Sequence, residues 1–376
     1  MKIVVNTRLL ISKQLSGIGW FTYNTLKRIV KKHPEHQFIF LFDRKFEEQY
    51  IFSSNVSPEI VFPPTRHPLL WYLWFEYAIV NKIKKHKPDL FFSPEGYLST
   101  RIKEIPSIPV IHDINFHHNP NSVPYWDGKF WRHYFPVYAQ MAKRIITVSE
   151  FSKNDISLYY NIPLSKIDVA YNGINELYAP VPENIKQNIK EKYADGQDYF
   201  IYVGVLVPRK NITRMLKAFE KFKKTSGSKI KLIIVGDSLY FTPEMKKEHQ
   251  RSAVKNDIVF TGRLSDSELQ KVMGAALSLI LVSVFEGFGI PIIEAMRSEI
   301  PVITSDTSSM PEIAGDAALI TNPYSVDSIS NAMLSMANDK KLRDELIRKG
   351  RKQCEKFNWD TTSGIVWNTI EKVVKQ

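Results

Sequence analysis

Glu286 and Glu294 stand eight residues apart, on either side of Gly287-Phe288-Gly289-Ile290-Pro291. Two carboxylates flanking a tight turn accept hydrogen bonds from polyhydroxyl groups. Gly287 and Gly289 allow a turn free of side chains. Pro291 suits the first turn of a helix starting near Gly289. Unpaired N–H groups at that helix start suit an anion or a sugar hydroxyl. A second cluster, Arg209-Lys210, follows Tyr202-Val203-Gly204 and precedes a helical pattern, with Asn211 placed to cap it. A guanidinium fork and an ammonium point charge beside a helix start suit a diphosphate. His112-Asp113 closes the apolar run Ile108–Ile111. Ligands of open α/β sheets gather at such strand ends. His112 there reads as a hydrogen-bond donor to a sugar hydroxyl or phosphate, and Asp113 as its orienter or the cap of the next loop. Each group alone is open to a plainer reading: a solvated corner, an exposed basic turn, a structural histidine.

The elements that position these residues are legible from apolar patterning. Ala276–Phe285 contains Leu279, Ile280, Leu281 and Val282, a buried parallel strand ahead of Glu286. Lys2–Asn6 reads as a first strand, Ser16-Gly17-Ile18-Gly19 as a glycine-rich loop, and Trp20–Val30 as a helix. The pattern restarts with a strand at Tyr199–Gly204, a loop to Arg209 and a helix from Asn211 to Lys223. Between these halves Asn172-Gly173, Pro180, Pro182 and a polar run to Gln197 read as a linker with a helical piece. Further strands are expected at Gln37–Phe42, Asp89–Ser93, Arg144–Val148, Lys231–Gly236, Ile258–Thr261 and Pro301–Thr304. Ser149 caps the helix opened by Glu150, and Ser265 the one after Gly262-Arg263-Leu264. Asp327–Cys354 reads as helical, and a last helix starts at Phe357–Asp360. The fold class is α/β: two doubly wound domains facing across a cleft, 1–175 and 176–357, with 358–376 returning to the first.

Bulk properties narrow the function. A chain of 376 residues with 44% hydrophobic side chains suits two packed domains rather than disorder. A formal charge of +12 favours an anionic partner, whether nucleotide diphosphate, acidic membrane or nucleic acid. No nucleic-acid recognition motif accompanies it. Cys354 is the single cysteine, which rules out an intrachain disulfide or a cysteine metal cluster and fits a reducing compartment. Lys2–Val5 is too short for a signal peptide, and no apolar run approaches the ~20 residues of a membrane span. A cytoplasmic protein is expected, free or on the inner membrane face. Leu69–Lys87, with Trp71, Trp74, Phe75 and Tyr77 before Lys82, Lys84, Lys85 and Lys87, has two open readings. It is either an interfacial helix on an anionic membrane or a helix packed on the sheet with a solvated basic end.

Glu-Gly-Phe-Gly-Ile-Pro-x2-Glu at 286–294 resembles the signature of the retaining GT-B glycosyltransferases of family 4. Tyr-Val-Gly-x4-Arg-Lys-Asn at 202–211, Val-Ile-His-Asp-Ile at 110–114 and Val-Ser-Glu-Phe-Ser at 148–152 match further family elements in order. So does the Gly17–Gly19 loop, although Ser16 stands where the family often has another glycine. The resemblance spans most of the chain, strongest after Tyr199 and weakest over Phe46–Lys103. It implies a nucleotide-sugar donor, GDP- or UDP-linked, held mainly by the C-terminal domain. Gly17, Gly19, Gly204, Arg209, Lys210, Gly287, Phe288 and Gly289 would line it, and Gly262, Arg263 and Leu264 would meet the nucleobase. Glu286 would contact the sugar and Glu294 the ribose. His112, Glu286, Arg209 and Lys210 would be catalytic, with Asp113, Ser149 and Glu150 bordering the acceptor side. No cofactor is implied, and without an Asp-x-Asp pair no metal is required. Mannose from GDP-mannose is the first expectation, and a glycan or lipid-linked glycan of a bacterial surface polysaccharide the expected acceptor. Rival readings are an epimerase or phosphorylase on the same fold, and a non-catalytic scaffold of a polysaccharide assembly complex.

Overall fold

The computed structural model describes residues 1–11, 15–237 and 241–375. The chain divides into two compact units, residues 1–173 with 358–376, and residues 174–357.

In the first unit the strands are β1 (Lys2–Asn6), β2 (Gln37–Phe42), β3 (Val56–Ile60), β4 (Leu90–Ser93) and β5 (Ser107–Pro109). They form one parallel sheet in the order β3-β2-β1-β4-β5. β6 (Ile145–Thr147) and β7 (Ile167–Val169) pair in parallel, and a bridge from Val110 to Ile146 continues the sheet into them. Ile3, Val4, Val5, Phe91 and Phe92 are wholly buried, the unbroken apolar run that helices on both faces require.

The first helix, Gly17–Lys32, starts earlier than the apolar pattern suggests, because Ser16 caps it through Gly19 N–H at 3.3 Å. Gly17 and Gly19 therefore occupy its first turn rather than a separate loop. A Cβ on Gly19 would come within 3.1 Å of Leu9 O, so glycine here permits close backbone packing. The last helix, Trp359–Val374, is capped by Asn358 and packs on the first. Trp359 meets Phe21 edge-on at 6.2 Å, and Trp367 stacks on His33 at 3.7 Å between centroids. Its Thr369 hydroxyl donates to Asp168, which also takes the Arg144 guanidinium.

Leu69–Lys87 is helical but not uniformly so. A π-turn, Trp74–Ala78, separates helices Pro68–Leu73 and Ile79–His86 and swings Trp74, Phe75 and Glu76 together into the core. Trp74 donates to Val61 O, and Lys82 pairs with Glu59. The full aromatic stripe is thus not an interfacial face; Leu69, Leu73 and Tyr77 are the parts exposed.

The second unit holds β8 (Tyr199–Val203), β9 (Lys231–Val235), β10 (Ile258–Gly262), β11 (Ser278–Leu281), β12 (Val302–Ser305) and β13 (Ala318–Thr321). All neighbours are parallel, in the order β10-β9-β8-β11-β12-β13. Numbered within the unit this is 3-2-1-4-5-6, the doubly wound dinucleotide-binding order, whose crevice opens where the order reverses between strands 1 and 4. Here those strands are β8 and β11. The expected helix over 327–354 is two, Val326–Asn338 and Lys340–Cys354, because Asp339 breaks the first and caps the second.

Candidate active site

Both sharp motifs of the second unit emerge at its switch point. Arg209 and Lys210 leave β8 through a 3₁₀ turn, Pro208–Lys210; Glu286 leaves β11. Val284 N–H donates to Arg209 O at 2.8 Å, stitching the two loops. Glu286 is 5% exposed and is the centre of a charge cluster. Arg209 Nη1 donates to Glu286 Oε2 at 3.1 Å and to Phe285 O at 3.0 Å, and Lys210 Nζ donates to Glu286 Oε1. Ser283 Oγ adds a bond to the same oxygen at 2.8 Å. Burial opposes the charge, but the two cations and the hydroxyl outweigh it and hold the Glu286 carboxyl down at about 2. In this state Glu286 is the counter-ion of the pair that would take a diphosphate.

A hydroxyl-rich segment after β12 fixes the Glu286 loop. Glu286 N–H donates to Ser308 Oγ, and Ser309 Oγ donates to the carbonyls of Glu286 and Phe288. Ser305 donates to Ser283 O and Thr307 to Val284 O. Gly289, at φ +98°, turns the chain into the helix Ile290–Arg297. Phe288 points into the core, edge-on to Phe357, so it offers only backbone to a ligand.

Asn211 does not cap the helix Ile212–Ser226. It adopts φ +63°, and its amide donates to Val282 O and Pro323 O, pinning the Arg209-Lys210 turn to the end of β11. Gly204 and Gly236 follow the parallel neighbours β8 and β9 with their backbones in close approach. A Cβ on Gly236 would lie 1.9 Å from Gly204 O. Gly262, at φ +69°, ends β10 and accepts from Gly236 N–H; Arg263 beyond it is exposed and Leu264 half-buried.

Glu294 lies one turn into the helix Ile290–Arg297, half-buried, with the Tyr178 hydroxyl donating to it. Desolvation, with help from Asp266, pushes its carboxyl up to about 8. The two glutamates of one motif are thus split into an ionised and a protonated partner.

In the first unit His112 is half-buried after β5, and its Nε2 donates to Pro94 O at 3.0 Å. Burial lowers its pKa, so the ring is neutral and Nδ1 carries the lone pair. With Nε2 engaged by Pro94 O, the neutral ring has only an acceptor to offer, at Nδ1. Asp113 caps the following turn through Asn115 N–H rather than orienting His112. Ser149 is a buried cap, and Glu150, largely exposed, pairs with Lys153. This unit also builds an ion pair at its own switch point, between β1 and β4. Arg8 forks onto Glu95 at 2.5 and 2.6 Å, and its guanidinium lies 4.6 Å from the Tyr97 ring centroid. Asn6, Thr65 and Asp43 complete that buried network.

Among the described residues, one group brings three possible ligand atoms within 4.8 Å of one another, from His33, Glu35 and His36 after the first helix. His33 is already stacked on Trp367. No such group includes Arg209, Lys210 or Glu286.

Two family models match the chain: glycosyltransferase family 4 over residues 15–176, and glycosyl transferases group 1 over 184–353. The chain belongs to glycosyltransferase family 4. The enzyme is a hexosyltransferase similar to O-antigen chain mannosyltransferase B of Escherichia coli, 27% identical across 96% of this chain and 97% of that one. It is also 28% identical to O-antigen chain mannosyltransferase RfbU of Salmonella typhimurium, over 81% of this chain and 79% of the relative. Among solved structures, Anabaena HepE in complex with UDP and glucose matches with a TM-score of 0.76 and 16% identity, covering 99% and 100% of the two chains. The glycosyltransferase therefore has the GT-B fold, each unit a Rossmann-like domain. No helix among the described residues is long and apolar enough to cross a membrane.

Proposed function

We propose that the enzyme transfers mannose from GDP-mannose, with retention, to a lipid-linked glycan during bacterial surface polysaccharide synthesis. The observation that carries this is the Arg209–Lys210–Glu286 cluster at the switch point of the second unit, joined to mannosyltransferase relatives along the whole chain. The donor diphosphate would take Arg209 and Lys210 from Glu286. The released carboxylate would then accept from the sugar hydroxyls and favour the cationic transition state. The C1–O bond to the β-phosphate breaks as the acceptor oxygen bonds C1 on the same face. The acceptor proton passes to the leaving phosphate oxygen. Glu294 would hold the ribose hydroxyls, and His112 Nδ1 would accept from a sugar hydroxyl. The first unit would bind the acceptor.

A UDP-hexose is the second reading, favoured by the structural match to HepE, whose crystal form holds UDP and glucose. A ligand at a hundred times its Kd stabilises its protein by about 2.7 kcal/mol. Thermal unfolding with GDP-mannose, UDP-glucose, UDP-galactose and UDP-N-acetylhexosamines separates the two. The largest rise is expected with GDP-mannose; a larger rise with a UDP-sugar overturns the mannose assignment.

A further inference from the structure

The helix Tyr125–Met141 has two apolar faces. Phe135, Tyr138 and Ala139 enter the core, as an amphipathic helix on a sheet requires. A second stripe, Trp126, Tyr134, Val137 and Met141, with the buried Phe130 at its inner edge, runs over roughly 22 Å of helix. Trp126 is 61% exposed, and Val137 and Met141 are more than a third exposed. At one end of this stripe, Leu69 and Tyr72 face Trp126, Phe130 and Tyr134 across a groove of ≈ 450 Å³. At the other end Met141 lines a second groove of ≈ 340 Å³ with Leu98 and Ile102. Two grooves at the ends of one helix, with the exposed Val137 between them, suit an extended chain better than a globular partner.

Charge selects what carries that chain. The first unit holds 24 Lys and Arg against 16 Asp and Glu, so it supplies eight of the twelve excess positive charges. Lys129 lies 5.4 Å from the centroid of the Trp126 ring, with His67 and His133 also lining the first groove. Lys103 and Lys143 line the second. Asp127 is the one acid on this helix, and it faces His67. We propose that the track takes a single long hydrocarbon chain bearing an anionic headgroup, the lipid end of the acceptor. This rests on the lipid-linked acceptor reading above.

Farnesyl phosphate below its micelle concentration is the probe, with farnesol and inorganic phosphate as controls. Saturable binding to the whole chain is expected by calorimetry, at least tenfold tighter than either control. Leu69→Glu and Val137→Glu, both at exposed positions, should weaken it at least tenfold while GDP and UDP affinities stay unchanged. Unweakened binding in both variants overturns the track. So does attachment to anionic vesicles without saturable farnesyl phosphate binding, which is the behaviour of a flat membrane contact. A parallel assay follows labelled sugar from the donor into a lipid extract of bacterial membranes. Label in the organic phase with the wild type, and its loss with the variants, supports the track. Organic label made equally by the variants overturns the track but keeps the acceptor reading. Water-soluble label alone overturns the acceptor reading itself.

Discussion

Glu286→Gln keeps the shape of the side chain and removes its charge. The wild-type carboxyl is held at about 2 against an ordinary 4.5, and its side chain is only 7% exposed. At 1.36 kcal/mol per pKa unit, that displacement corresponds to about 3 kcal/mol of net preference for the ionised form, the pull of Lys210, Arg209 and Ser283 less the cost of burial. Gln retains the bond from Ser283 but leaves two cations, 11% and 23% exposed, without their counter-ion. The ligand-free variant should lose up to about 3 kcal/mol, or roughly 6–12 °C for a unit of this size. On the proposed function, nucleoside diphosphate would bring its own negative charge to the same cations and would no longer compete with Glu286. The variant should therefore bind free GDP or UDP at least as tightly as the wild type, gain more melting temperature from it, and still transfer sugar poorly. Calorimetry of unfolding with and without diphosphate, and initial rates with the intact donor, measure all three. A variant as stable as the wild type that binds diphosphate ten times more weakly would refute the counter-ion exchange.

The acid side of the same pair gives a pH window: stability from Glu286 is present above pH 4.5 and lost as pH falls towards 2. Glu294 has the opposite sign. Its carboxyl is raised to about 8, so the folded chain keeps a proton that the unfolded chain releases above 4.5. Stability should fall between pH 4.5 and 8 by at most about 1.4 kcal/mol per unit, and urea midpoints of Glu294→Gln should not show that slope. If ribose hydroxyls donate to Glu294, nucleotide binding at pH 7 releases up to one proton. Calorimetry in buffers of different ionisation enthalpy should detect it in the wild type and not in Glu294→Gln. Ser309→Ala removes two bonds to the Glu286 loop and should cost about 1–3 kcal/mol, lowering kcat more than it raises the donor KM. Equal changes in both would assign Ser309 to donor binding instead. Leu73→Ser should leave the melting temperature within a few degrees, whereas Trp74→Ser, in the core, should unfold the first unit at much lower temperature. Similar losses would place Leu73 in the core too.

The alternation of strand and helix was readable because buried parallel strands such as Ile3–Val5 and Leu279–Leu281 are unbroken apolar runs. The Glu286–Glu294 corner was readable because its glycines and proline are adjacent in sequence. The supports of that corner were not. Ser308 and Ser309 reach Glu286 only because β12 lies beside β11, and Asn211 abandons capping for carbonyls 71 and 112 residues away. Arg8 and Glu95 meet through β1 and β4, which no local pattern couples. At Trp74–Ala78 one extra residue in the turn rotates the aromatic stripe inward, and a strict 3.6 period misassigns its face. The depressed Glu286 and the raised Glu294 depend on burial and neighbours, so two like residues in one motif are shifted in opposite directions.

The most direct test of the account is titration of GDP and of UDP into the whole chain and into Arg209→Ala/Lys210→Ala, with EDTA present throughout. Two charge-assisted contacts at about 1.5–3 kcal/mol each predict a loss of at least roughly a hundredfold in the double variant, with its unfolding transition retained. Wild-type binding should persist in EDTA. A double variant that binds the diphosphate as tightly as the wild type would place the donor elsewhere and contradict the site.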